Sequence, residues 1–410
     1  MEEGGMKTSS MGPAFGALRA ATIGAAMALA VSTAALAEDT VKIGVLLIDS
    51  GPLAGLKDTQ VKAVNLAIEQ INAAGGAGGK KLEATFISYP GTPDTAVDGA
   101  TRAVQRDGAM FITGMDTSAV TPALQAKLPA LKVLMLEVMA NADGLTGKNC
   151  TPNYFRVNAN DSMIMGTFRE FLKDQGIKKW DIIAVDYAAG RDSADKFKAL
   201  VTSQGGTIGK TLFSPNGTPD FGAKISELGA DPADGLFVTI FGSDAINLAK
   251  QQQQFGLFKK YKMVLGNSFV IPQTLPAQGE TVLGVYQNIG FVAGFPGAQA
   301  EAFVKAYKDK YNGELPPYTS ADQYAAIQLM AAALQKANST DINAVRAALS
   351  GLKTETVLGD VEVRAGDHQT ARRMAISQIV MGPEGKPAYQ IKKIEPGPDI
   401  IPPVDSACKM

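Results

Sequence analysis

The chain has 410 residues, 46% hydrophobic and 19% charged, which suits two folded cores better than one. Its formal net charge is −1, with no basic cluster interleaved with aromatics, so neither nucleic acid nor an anionic membrane is an expected partner. A single histidine, His368, excludes a site with two His ligands and weakens any Ser-His-Asp reading, while two cysteines leave no CxxC zinc or redox motif.

Residues 1–37 read as an export signal rather than as fold. Lys7 and Arg19 supply positive charge, Ala20–Ala35 is apolar and Ala-rich, and Ala35-Leu36-Ala37 is a small-x-small cleavage site. The apolar run is shorter than the about 20 residues of a membrane span. Cleavage after Ala37 makes Glu38 the first mature residue, in the periplasm. No Cys follows for a lipid anchor, and Met6 is an alternative start. Export permits a disulfide. Cys150 and Cys408 are the only candidates, with two unpaired thiols as the alternative. A bridge would tie the C-terminal tail to the loop at Gly147-Lys148-Asn149.

The mature chain opens with a βαβ unit. Val41–Ile48 is a short Val/Ile/Leu run, as a strand buried on both faces requires. Ser50-Gly51-Pro52 breaks it. Val61, Val64, Ile68 and Ile71 recur at helical spacing, Asn72–Gly76 ends that helix, and Leu82–Tyr89 is the next strand. A helix follows over Thr95–Asp107, then a strand over Ala109–Thr113. Gly114–Pro122 is a strand-to-helix loop in which Thr117 or Ser118 caps the helix and faces outward, an arrangement suited to an anion. Val133–Val138 is a strand, 145–160 a crossing, Ser162–Asp174 a helix and Trp180–Val185 a strand. The pattern then predicts a loop over Asp186–Asp192 and a helix over Ala194–Gln204.

Gly205–Thr211 superficially evokes a phosphate-binding loop. Its spacing is one residue short and it leads into a strand, so nucleotide binding is rejected. A capped helix to Leu228, a strand Gly235–Ile240, a helix Ala245–Phe255 and a strand Lys262–Leu265 follow. Gly284–Phe291 leads back towards the first part of the chain. Helices are expected over Gln299–Tyr311, Asp322–Ala337 and Asp341–Ser350, with a crossing and strand in Thr356–Val363. Gly366–Gln369 is a turn in which His368 is a hydrogen-bonded residue rather than a catalyst. Ala375–Val380 and Ala388–Ile394 close the fold as strands.

The run "KIGVL…SGPLAG" followed by "A…AIEQINAAGG…GKKLE" resembles the opening of the periplasmic solute-binding proteins of branched-chain amino acid ABC importers, the Leu/Ile/Val-binding type. The resemblance extends over roughly residues 40–395, through "NYFR", the Asp186–Asp192 loop and "TVLGDVEV". It implies an α/β fold of two Rossmann-like lobes with parallel sheets, joined by a three-crossing hinge (type I periplasmic binding protein). The crossings fall near Arg156, Tyr286 and Asp360. The first lobe is then 38–157 and 287–360, the second 158–286 and 361–395, and the tail 396–410. Ligand binds between the lobes, at the carboxyl ends of the strands.

The resemblance also implies site residues. Thr117, with Ser118 beside it, falls where a hydroxyl holds the ligand carboxylate. Met139 and Asn141 fall where a backbone N–H and a side-chain hydroxyl reach the same carboxylate, Asn141 being a departure. Ser50 lies in the ligand-side loop. Phe241 falls where an aromatic packs on the ligand, and Tyr187 stands two residues before the place of another, which is Ala189 here. Ser268 replaces the acid that pairs with a ligand ammonium, leaving Asp116, Glu137 and Asp186 as substitutes. Leu56 stands where amino-acid binders often carry a cleft aromatic.

The function implied is a monomeric receptor, without cofactor or chemistry, that closes on a small carboxylate-bearing solute and delivers it to a membrane permease. An aromatic or other non-amino organic acid fits the departures as an alternative ligand. A periplasmic sensor acting on a membrane partner is the alternative role. A hydrolase finds no nucleophile matched to a base.

Overall fold

A computed structural model describes Met1 and residues 40–410; the export signal and its cleavage site at Ala37 lie outside the described residues. The opening run forms β1 (Thr40–Ile48), buried from Ile43 to Ile48 as its unbroken apolar sequence demands. With β2 (Lys81–Tyr89), β3 (Phe111–Gly114), β4 (Leu134–Glu137) and β5 (Tyr154–Arg156) it makes a five-stranded parallel sheet, order β2-β1-β3-β4-β5. The helix Lys57–Ala73 buries Ala63, Val64 and Ala67 between β1 and β2 in sequence, giving the expected parallel crossover. Gly114 ends β3 with φ 124°, and a Cβ there would lie 2.1 Å from the Leu46 carbonyl oxygen of β1. Only glycine fits that turn.

A second sheet has seven strands: β6 (Lys179–Val185), β7 (Thr207–Ser214), β8 (Gly235–Thr239), β9 (Met263–Gly266), β10 (Tyr286–Ile289), and two later ones. A three-stranded sheet of β11 (Lys353–Thr356), β12 (Gly359–Val363) and β13 (Thr370–Ala371) intervenes. Then β14 (Met374–Met381) and β15 (Pro387–Glu395) complete the second sheet in the order β15-β14-β10-β9-β8-β6-β7. β6 to β10 run parallel, while β14 and β15 add antiparallel edges. Gly205–Thr211 leads into β7, with no helix to cradle a phosphate.

Strand pairing shows the course of the chain around two of the crossings. β10 pairs with β9 at Tyr286 and Gln287 and with β14 through Ile289. β11 and β12 form a hairpin that turns at Val357-Leu358, and Val361 and Val363 are buried in the same core as β1. The crossing comes at Thr370–Met374. It is bound to the first crossing by Gln369, which accepts from Arg156 Nε at 2.6 Å and donates to the Asn158 carbonyl at 2.9 Å. The resemblance of "TVLGDVEV" implies a strand here, without the partner strand β11 that it pairs with.

His368 is buried at this junction, its ring stacked on Phe155 with centroids 4.0 Å apart. The C-terminal tail packs Ile400 against Met163 and Met374 and then returns to the first lobe. There Cys408 and Cys150 are joined by a disulfide.

Candidate functional site

Parallel strands leave their carboxyl ends, and the loops that follow, along one edge of each sheet. The loops after β3, β4, β8 and β9 and one face of the helix Ala188–Ser203 meet around a cleft of about 330 Å³. Thr117, Ser118, Met139, Asn141, Phe241 and Ser268, all expected from sequence, line it together. Ser268 holds φ 55°, a left-handed conformation that is strained for a non-glycine residue. Ser118 Oγ accepts the Ala142 N–H at 3.1 Å, which keeps its own proton for another partner.

Two expected residues lie elsewhere. Ser50 Oγ donates to the Pro90 carbonyl at 2.8 Å and is not among the lining residues. Tyr187 is 42% exposed at the start of the helix Ala188–Ser203, its ring 6.2 Å from that of Phe241. Ala189 takes the lining position because the helix begins there. Leu56 packs on the first core, and Leu53 faces the cleft in its place.

The Met139 backbone N–H is not open to a solute carboxylate. It donates to Glu137 Oε1 at 2.6 Å, together with the N–H groups of Val138 at 2.9 Å and Ala140 at 2.8 Å. The last residue of β4 thus folds its own carboxylate into the loop that follows. Asn141 is engaged too, its amide 2.7 Å from that of Asn158. Beside Glu137 lies Asp116, which accepts from Thr121 Oγ1 at 3.1 Å. Burial, and then the neighbouring Glu137 charge, raise the Asp116 carboxyl well above the usual carboxylate range.

The opposite wall is ionic. Lys196 Nζ reaches Asp192 at 2.8 Å, Asp143 at 3.1 Å and Asp161 at 3.6 Å. Burial works against the Lys196 charge, but these carboxylates outweigh it and raise its pKa. Burial pushes Asp161 up to about 6, with Lys196 opposing. Asp143 belongs to the loop after β4 and Lys196 to a helix of the second lobe, so this contact spans the two walls.

A family model described as periplasmic binding protein matches residues 40–386. The chain belongs to the periplasmic binding protein family. Among its relatives, a Leu/Ile/Val-binding protein homolog 4 of Brucella abortus (strain 2308) is 27% identical over 416 residues, 96% of this chain and 98% of that one. The fold is also that of the closed leucine-, isoleucine-, valine-, threonine- and alanine-binding protein of Brucella ovis. That structure has TM-score 0.80 and 24% identity, covering 91% of this chain and 99% of that one. A solute-binding protein of Rhodopseudomonas palustris BisB5, in complex with 3,4-dihydroxybenzoic acid, gives TM-score 0.76 and 24% identity over 88% and 98% of the two chains.

In this periplasmic binding protein the sequence named Ala189, Phe241 and Ser268 of the second wall but not Asp192, Ser193 and Lys196. Ala189, Asp192, Ser193 and Lys196 line the cleft at the spacing of one helical face. That signal was present, but it is readable only if the helix starts at Ala188. Of the acids considered as ammonium partners, Asp116 and Glu137 face each other, and Asp186 is ion-paired to Arg191. Asp161 and Asp192 are the cleft carboxylates that were overlooked.

Proposed function

We propose that this chain is the extracytoplasmic receptor of an ABC importer, closing two lobes on a small organic acid and presenting the closed form to a membrane permease. The observation that carries this reading is the single cleft shared by hydroxyls of the first lobe, Thr117 and Ser118, and by Phe241, Ser268 and Lys196 of the second. Closure brings these walls together around the solute, with the two hydroxyls holding its carboxylate and the ion cluster of Lys196 with Asp161 and Asp192 facing another part of it. The apolar side chains of Leu53, Ile164, Met165 and Phe241 suit the body of such a solute. No step of bond chemistry is assigned to the site.

A second reading, an amino acid as solute, is favoured by a specific observation. Asp161 and Asp192 stand in the same cleft and give an ammonium group the partner that Ser268 does not. A thermal-shift screen of the chain from Glu38 onward tests both, using amino acids, amides, and aliphatic and aromatic carboxylates. A solute at about 100 times its dissociation constant stabilises by about 2.7 kcal/mol. Shifts with carboxylates lacking an amino group support the first reading, and shifts confined to amino acids support the second. Stabilisation by amides alone, with no acid active, would overturn both.

A further inference from the structure

Behind the cleft lies a smaller chamber of about 90 Å³, which shares Met139, Asn141, Ile164 and Ser268 with it. The far end of this chamber is built by the third crossing, by β10 and by the first turns of the helix Tyr318–Ala337. Arg372 stands there with its side chain 1% exposed. Its guanidinium is ion-paired to Asp322 and donates Nη2–H to the Gly290 carbonyl at 2.6 Å. The Nε–H has no hydrogen-bond partner. Thr319 Oγ1, on a residue 1% exposed in the same lining, has none either. Val270, Ile289 and Met374 make the surrounding wall apolar.

Buried polar groups in folded proteins are almost always paired, and three left unpaired in one lining, Arg372 Nε, Thr319 Oγ1 and Asn158 Oδ1, mark a place for a hydrogen-bonding visitor. We propose that this chamber is a second subsite, which takes a neutral hydrogen-bonding group, above all a hydroxyl, at the far end of a solute with an apolar body. The Arg372 Nε–H donates to the visitor's oxygen, and the Thr319 hydroxyl rotates to accept its proton. The Arg372 charge is already answered by Asp322, so the subsite does not call for a second carboxylate. The two cavities share Met139, Asn141, Ile164 and Ser268 in their linings, and on this proposal one solute spans both, its head at Thr117 and Ser118 and its tip at Arg372. This subsite rests on the small-acid reading of the outer cleft.

The test is calorimetric titration of the chain from Glu38 onward with matched pairs. These are benzoate and 4-hydroxybenzoate, phenylalanine and tyrosine, with 1,4-benzenedicarboxylate as the charged-tip control. The hydroxylated member of a binding pair is expected to bind about tenfold tighter, as suits a group completing buried hydrogen bonds. Thr319→Val cuts that ratio to about threefold or less, by the same reasoning. Arg372→Lys, which keeps a cation for Asp322 and removes the Nε–H, cuts it as well. If Arg372→Lys fails to fold by circular dichroism, Thr319→Val carries the test alone. Equal affinities within each pair, a ratio untouched by Thr319→Val, or tightest binding by the dicarboxylate would overturn the subsite alone. Binding by no member of either pair would overturn the small-acid reading and the subsite with it.

Discussion

Asp116→Asn isolates the acidic pair beneath the cleft. The asparagine oxygen can still accept from Thr121 Oγ1, now 3.1 Å from the Asp116 carboxyl, and its amide N–H can donate towards Glu137. The substitution therefore keeps shape and hydrogen bonding but removes a titrating group. In the folded chain the Asp116 carboxyl is raised, by burial first and by Glu137 second. In the unfolded chain it ionises at a pKa of about 3.9. The native state thus holds a proton that the unfolded state releases. The stability linked to this proton is complete below the unfolded pKa and is lost as pH rises to the folded value. Within that window the loss runs at about 1.4 kcal/mol per pH unit. Asp116→Asn has no such slope. Urea unfolding of the solute-free chain and variant, followed by circular dichroism from pH 4.5 to 8, is the assay. The variant should gain on the wild type by about 1.4 kcal/mol per pH unit and then level off. Parallel stability curves across this range would refute the shared-proton reasoning.

His368 carries the opposite sign. Burial depresses its imidazole to about 4, although the Tyr154 carbonyl pulls the other way. Its stabilisation is complete above the unfolded pKa of about 6.5 and is lost as pH falls towards 4, about 3 kcal/mol over the window. His368→Asn, which tolerates the positive φ of 57°, should remove that acid-side slope in the same urea titration. Replacing both Cys150 and Cys408 by serine frees a loop with a sequence separation of 258 and should cost about 2–5 kcal/mol. A lowered urea midpoint for the double variant, matched by reduced wild type, checks it. Asp161, raised to about 6, makes solute binding pH-dependent. Its protonation below that value leaves Lys196 with less opposing charge from Asp161, Asp192 and Asp143. Benzoate should bind tighter at pH 5 than at 7.5, and calorimetry at the two values tests this.

The fold was legible where burial imposes a pattern. β4 and the Ile43–Ile48 part of β1 read as strands because they are buried throughout, and the helix Lys57–Ala73 read from its buried Val64 spacing. Six of the expected residues line one cleft because loops after parallel strands share one edge, whatever their sequence. The helix Ala188–Ser203 was read as starting too late because Gly190 looks like a loop residue. Its glycine answers a packing need instead: a Cβ there would stand 2.2 Å from the Val185 carbonyl oxygen. The late start hid Asp192, Ser193 and Lys196 from the site. The place of β12 depended on its pairing with β11, a tertiary fact that no local pattern carries.

Glu137 changes what the first lobe can ask of a solute. Three backbone N–H groups converging on one oxygen make a preorganised anion site, and here the chain fills it with its own carboxylate. A solute carboxylate entering that place would have to expel Glu137 and leave a buried charge without its donors, which is strongly unfavourable. The first lobe is thereby reduced to the hydroxyls of Thr117 and Ser118, neutral donors that hold a carboxylate, a carbonyl or a hydroxyl with little discrimination. On the proposed reading, discrimination by charge passes to the cluster of Lys196, Asp161 and Asp192, which Asp143 ties to the first wall. Selection among solutes is therefore tied to closure itself. An ill-matched solute can rest against the first lobe, but only one that satisfies the Lys196 cluster stabilises the closed form, in proportion to its differential affinity for that form.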